Sequence, residues 1–178
     1  QPTQLLRWEF HAGETISYSP DWQHQLRTSI QLPGRELWHL HTHLGLLYGQ
    51  EVKAFADRHQ ASVDFVASHG HTVFHDPQRQ TTTQIGDGAA MAAVLQLPVI
   101  DQFRTQDMAL GGQGAPLAPL ADQYLFPKYF ACLNLGGIAN ISLRTPGGYV
   151  AYDITGANQV LDALMGETGA AYDEDGQL

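Results

Sequence analysis

The 178 residues carry 18 acidic and nine basic side chains, for a formal net charge of −9, and 43% of them are hydrophobic. That is enough apolar material for the core of one good-sized domain or parts of two, and it excludes a disordered chain. The acidic balance, with no cluster of Lys or Arg, argues against nucleic acid or an anionic membrane as principal partner, whereas a polyanionic small ligand needs only local amides, one or two cations and a metal ion.

Residues 5–10 and 15–18 alternate loosely around Ala12-Gly13, which predicts a hairpin or a pair of edge strands. Pro33-Gly34 then breaks the pattern. After it Leu37, Leu40, Leu44, Tyr48, Val52 and Phe55 recur at helical spacing and define one face of a long helix. Gly45 and Gly49 would let that helix pack closely on a neighbour. Residues 63–68 read as a buried strand ending at His69-Gly70-His71, and residues 81–85 as another. Gly86-Asp87-Gly88 opens an alanine-rich helix over 89–95 with Asp87 as its N-cap; Pro98 ends it, and Val99-Ile100 begins a strand. Helices alternating with short apolar strands predict an α/β architecture with a mainly parallel sheet in this half.

Residues 107–119, DMALGGQGAPLAP, form a glycine- and proline-rich connection without periodicity, suited to a domain junction or a ligand loop. Beyond it, apolar runs at 129–135, 138–143 and 148–152 predict a β-meander. Gly136-Gly137 sits at its first turn and Asp153 at a strand end, and a helix with Val160, Leu161 and Leu164 on one face follows. The single cysteine, Cys132, lies inside an apolar run and reads as a buried thiol; no disulfide can form within the chain, which fits a reducing compartment. No apolar run reaches the ~20 residues of a membrane span, and the opening QPTQLLRWEF lacks the design of a signal peptide. The expected location is cytoplasmic.

Five groups of residues carry candidate chemistry. His39 and His43 share a helical face as metal ligands sometimes do, but no third ligand follows from the spacing and a solvated face is the plainer reading. His69, His71 and His75 follow a strand end, where ligands bind in α/β sheets, or else stabilise a turn. Arg104 and Asp107, three apart, form either a local salt bridge or, through Arg104, a clamp for an anionic substrate. Asp153 beside a glycine turn suits a general base, and equally a helix N-cap. Gly136-Gly137 itself is either an ordinary hairpin turn or a cradle of bare amides for phosphate oxygens.

The order of the motifs goes further. SHGHTVFHDP at 68–77, QIGDG at 84–88, FRTQDMALGGQGAPLAP at 103–119, LNLGGIANIS at 133–142, then YDITGAN and YDEDG, together resemble the anhydro-N-acetylmuramic acid kinases, cytoplasmic sugar kinases of peptidoglycan recycling. The resemblance covers residues 68–176, with GGQGAPL and NLGGIAN its most specific parts.

It implies an α/β, actin-like ATPase (ribonuclease H-like) fold, here partial, with mixed sheets flanked by helices. Residues 1–117 would form most of the first, sugar-side domain and 118–178 the start of the second, nucleotide-side domain. The implied reaction opens the 1,6-anhydro bridge of the amino sugar with water and phosphorylates O6 from ATP with Mg²⁺. By motif position Asp153 is the base that activates the water. Gly136, Gly137 and Asn140 match the turn that contacts phosphate, and His69, Gly70, Thr72, Arg104, Gly111, Gly112, Gln113 and Gly114 line the sugar site. The implied partners are the amino sugar and ATP, with neither nucleic acid nor membrane, and a homodimer is left open.

The family's opening Gly-Thr-Ser/Asp-Gly-Asp phosphate loop and its C-terminal adenosine-binding portion have no counterpart in these residues. Gln102, Thr105 and Gln106 stand where members often carry Asp and further Arg, and Thr155-Gly156-Ala157 replaces Gly-Pro-Gly. The expectation is therefore a piece of such a kinase, or alternatively a non-catalytic sugar-binding or regulatory remnant. A glycoside hydrolase would need a second acid beside Asp153, with Asp107, Asp162 and Asp173 as the candidates.

Overall fold

A computed structural model of the chain describes residues 8–115, 117–169, 172, 173 and 176. They divide into two compact units, one formed by Phe10–Ala115 and the other by Trp8, Glu9 and the described residues from Leu117 onward.

The first unit is organised by one long helix. Helix α1, Pro20–Thr28, begins where Ser19 accepts the Trp22 N–H and Pro20 occupies the first turn, and a 3-10 turn over Ser29–Gln31 follows it. Helix α2, Gly34–His59, ends when Gln60 turns left-handed at φ 50°. Its predicted face is the buried one: Leu37, Leu40 and Leu44 join Leu26 and Ile85 in the core, with Tyr18, Trp22, Leu32, Leu47, Tyr48 and Val73 packed around them. Burying each such leucine stabilises the fold by about 1.5–3 kcal/mol.

The predicted hairpin near the start is not formed. Residues 8–19 contain no strand, and residues 5–7 lie outside the described residues. Side chains rather than a ladder hold this segment. Glu14 binds both Arg58 and His59 of α2, and the Tyr18 and Tyr48 hydroxyls meet at 2.7 Å.

Strands β1, Val66–Ala67, and β4, Val99–Ile100, pair in parallel. Strands β2, His71–Asp76, and β3, Thr81–Ile85, pair antiparallel. The expected mainly parallel sheet is thus reduced to one two-residue pair, and the strand expected over 63–68 is confined to its end. The connection between β2 and β3 is a 3-10 turn, Pro77–Arg79, closed by left-handed Gln80, far too short for the crossover that parallel neighbours require.

Helix α3, Gly88–Leu95, starts at Asp87, whose side chain accepts the Ala89 N–H at 2.9 Å as expected of an N-cap. It packs directly on α2. A β-carbon at Gly49 would stand 2.9 Å from Val94 Cβ, and one at Gly45 would stand 2.8 Å from the Asp87 nitrogen. Helix α4, Phe103–Ala109, occupies part of the stretch read as an aperiodic connection, and α5, Ala118–Leu125, begins before its end. Each has eight residues or fewer, too short for periodicity to stand out.

The second unit carries the predicted meander. Strands β5, Ala131–Leu135, β6, Ile138–Thr145, and β7, Gly148–Gly156, form an antiparallel sheet in sequence order. Helix α6, Asn158–Thr168, follows. Ser142, buried in β6, donates to Asp122 of α5, and the Arg144 side chain donates to the Pro127 carbonyl at 2.8 Å. Cys132 is a free thiol and only half-buried, short of the full burial expected.

Candidate functional site

In the first unit the histidine-glycine segment joins β1 to β2. Gly70 has φ +72°, and a β-carbon there would lie 2.5 Å from the Ile85 carbonyl oxygen, so only glycine lets the chain cross beside β3. A ring nitrogen of His69 bonds the Gly70 carbonyl at 3.1 Å. Thr72 accepts from Gln84 Nε2 at 3.4 Å, and the same amide donates to Thr82 at 2.8 Å. Gln84 is 4% exposed, its Oε1 has no partner among the described residues, and its main-chain carbonyl accepts from Gln102 at 3.2 Å. Burial holds the His71 ring below the usual histidine range, partly opposed by its hydrogen bond with the Leu26 backbone.

His41 has a structural task. Its Nδ1 accepts the Gly86 N–H at 3.2 Å, its carbonyl accepts the Asp87 N–H at 3.0 Å, and its ring lies against Trp38 at 4.8 Å. Among the described residues no group of three or more His, Cys, Asp or Glu is arranged to hold a metal ion. Asp101, which sequence reasoning passed over, accepts the Gly88 N–H at 3.1 Å at the start of α3. The Asp-Gly pair that marked Asp87 as a cap gave no sign of this second acceptor thirteen residues on.

Arg104 and Asp107 both lie on α4, and of the two alternatives for the pair the local salt bridge is not formed. Arg104 is half-buried, and its Nε is buried with no partner among the described residues. Gly111 and Gly114 take left-handed φ values of 88° and 67°. A β-carbon at Gly114 would come 3.3 Å from Arg104 Cβ and 2.9 Å from Met108 Cγ. The structure thus brings Arg104 and Gly114 together, with Gly112 half-buried and Gln113 exposed on the same loop.

In the second unit the sheet register aligns the polar residues. Asn134 of β5 stands opposite Asn140 of β6, and Asn140 stands opposite Asp153 of β7. Directly opposed residues share a sheet face, with β-carbons about 4.5–5.5 Å apart. The three form a row, and Asn134 was not anticipated because only register reveals it. Asp153 does not end its strand, which runs on to Gly156, and a register shift between Ala139 and Asn140 leaves Ile154 as the extra residue. Bulges of this kind re-aim side chains beside active sites.

Asp153 is exposed and is not a helix cap. The N-cap of α6 is Ala157, with no side-chain hydrogen bond. Its leading N–H groups are satisfied by the glycine turn instead: the Gly137 carbonyl accepts from Ala157 and Gln159 at 2.9 and 3.1 Å, and the Gly136 carbonyl accepts from Asn158 at 3.1 Å. Neither glycine has positive φ. A β-carbon at Gly136 would meet nothing nearer than 3.8 Å, so the turn is open on that side. Its carbonyls are committed to α6, while its backbone remains approachable.

The profile described as anhydro-N-acetylmuramic acid kinase matches residues 5–178. An anhydro-N-acetylmuramic acid kinase of Acidiphilium cryptum is 47% identical over 135 residues, covering 69% of this chain and 38% of the relative. One from Photobacterium profundum is 42% identical over 156 residues, covering 82% and 40%, and one from Acinetobacter baylyi is 35% identical over 180 residues, covering 93% and 48%. The chain spans less than half the length of these curated relatives.

Proposed function

The chain belongs to the anhydro-N-acetylmuramic acid kinase family, and we propose that it forms part of an enzyme that opens the 1,6-anhydro ring of that amino sugar and phosphorylates O6. The observation that carries this reading is the state of Asp153: an exposed carboxylate on a bulged strand, opposite Asn140, with its capping alternative removed.

In that role Asp153 takes a proton from the water that attacks the anomeric carbon. Ring opening then frees O6 as a developing alkoxide, the nucleophile for the phosphoryl group. ATP, when bound with Mg²⁺, supplies that group. The turn suits a phosphate on its Gly136 side, where a β-carbon would meet nothing nearer than 3.8 Å, while Gly137 lies against the Gln159 side chain, and Asn140 would fix the orientation of whatever lies between it and Asp153. A nucleotide-borne Mg²⁺ needs only one or two protein carboxylates, not a dedicated cage. On the sugar side Arg104, with its uncommitted Nε, would meet an anionic substituent. His69, Gly70, Thr72 and the loop Gly111, Gly112, Gln113 and Gly114 would line the pocket.

The same reading assigns the chain an actin-like ATPase fold. Residues 1–117 fall to the sugar-side domain and 118–178 to the nucleotide-side domain, in a cytoplasmic enzyme of peptidoglycan recycling. No helix among the described residues is long and apolar enough to cross a membrane.

The test is Asp153→Asn in the full protein. Turnover should fall by about 10²–10⁴-fold, the usual contribution of a positioned base, while calorimetry finds sugar and nucleotide binding retained. Near-normal turnover removes Asp153 from the mechanism.

A further inference from the structure

Helix α4 and the glycine loop after it are tied together by one residue. Asp107 Oδ2 accepts the Gly114 N–H at 2.7 Å, and the Asp107 main-chain carbonyl accepts the N–H of Gly112 at 2.8 Å. Side chain and backbone of one residue therefore close the loop at two points. A β-carbon at Gly112 would lie 2.5 Å from Asp107 Cγ, so the carboxylate fills the room that any side chain there would need. With Gly111 and Gly114 both left-handed, the loop folds back until Gly114 rests against Arg104 and Met108.

The consequence for Arg104 is electrostatic. An Asp three residues from an Arg on a helix ordinarily pairs with it, yet here the carboxylate is engaged by the loop backbone and Arg104 Nε is left without a partner. We propose that Asp107 is a positioning residue for the sugar: it fixes the Gly111–Gly114 loop and keeps Arg104 uncommitted, without itself touching substrate. This rests on the kinase reading of that loop. It also removes Asp107 as the second acid of a hydrolase.

The experiment compares Asp107→Ala with Asp107→Asn in the full protein. Asparagine offers a neutral oxygen to the same Gly114 N–H, whereas alanine offers none. Asp107→Ala is expected to raise KM for the anhydro sugar by about tenfold, the size of one lost hydrogen bond to an ionised group, with KM for ATP unchanged. Asp107→Asn is expected to restore the sugar KM to within about threefold of wild type. Hydrogen exchange at the Gly114 amide should accelerate in the alanine variant and remain slow in the asparagine variant.

Equal impairment in both variants, sugar and ATP KM rising together, or unchanged Gly114 exchange in Asp107→Ala would each overturn the proposal. The kinase reading fails differently. A wild-type protein that binds no anhydro sugar by calorimetry rejects that reading and the substrate role with it, while the exchange rates still decide whether Asp107 holds the loop.

Discussion

At Gly70 the backbone leaves no room for a side chain. With φ at +72° and the Ile85 carbonyl oxygen 2.5 Å from where a β-carbon would stand, Gly70→Ala incurs both the left-handed penalty, about 1–2 kcal/mol, and an overlap against β3 worth about 1–3 kcal/mol. The expected result is a lower urea midpoint with an unchanged m value, equivalent to a loss of about 2–5 kcal/mol. A wild-type midpoint would mean that the β1–β2 junction relaxes freely. Other residues divide by whether their role is local. The Asp87 cap was legible because its partner is two residues away. Asp153 was only half legible: the carboxylate and its neighbouring glycines stand in the sequence, but its choice between cap and base depended on what α6 uses at its N-terminus. That partner, the Gly136-Gly137 turn, lies some twenty residues upstream.

Among the elements, α2 and α3 owe their contact to two glycines. A β-carbon at Gly45 overlaps the Asp87 backbone, which anchors α3 and cannot swing aside as a flexible side chain would. Gly45→Ala should therefore destabilise the first unit by about 1–3 kcal/mol despite alanine's better helix propensity. Gly34→Ala, where a β-carbon meets nothing within 4 Å, should be neutral or slightly stabilising; the pair, compared by thermal denaturation, separates packing from propensity. Equal effects would contradict a close-packed α2–α3 interface. Helix α2 was legible because a buried stripe of leucines writes its period into the sequence, and the meander because its glycine turns separate three apolar runs. Helix α1 went unread: it buries only Leu26, and its one signal is the Ser-Pro-Asp start; α4 is too short to repeat a pattern. The early hairpin failed for a different reason: alternation describes side chains, but a strand also needs a neighbouring backbone, and residues 10–19 are held through Glu14 and Tyr18.

For the molecule as a whole, motif order carried the family, whereas the mainly parallel sheet expected of the first unit was a misreading: the short turn Pro77–Arg79 between β2 and β3 admits only antiparallel neighbours. Protonation acts at this largest scale, since two groups in the first unit titrate in one direction. Burial lowers the His71 pKa below its ordinary 6.5, so the unfolded chain takes up the proton first. The stability this represents is complete above about 6.5 and is lost as pH falls through the lowered folded value. Hydrogen bonds from Arg58 and His59 lower Glu14 below its ordinary 4.5, so its contribution is present above that value and is lost as pH falls through the folded one. The expected melting temperature therefore declines in two successive windows on acidification. The first should flatten in His71→Gln and the second in Glu14→Gln, each measured by calorimetry across the range from about pH 7 to pH 3. Persistence of the upper step in His71→Gln would assign it to another of the nine histidines. The net charge of −9 shrinks toward zero as pH falls to the isoelectric point of about 5.3, which relieves self-repulsion and works against the upper step; below that point the chain turns increasingly positive, and self-repulsion adds to the lower one. An upper decline seen despite that relief therefore reports on His71, and the comparison with Glu14→Gln, in which the remaining groups titrate alike, separates the lower step from the overall charge.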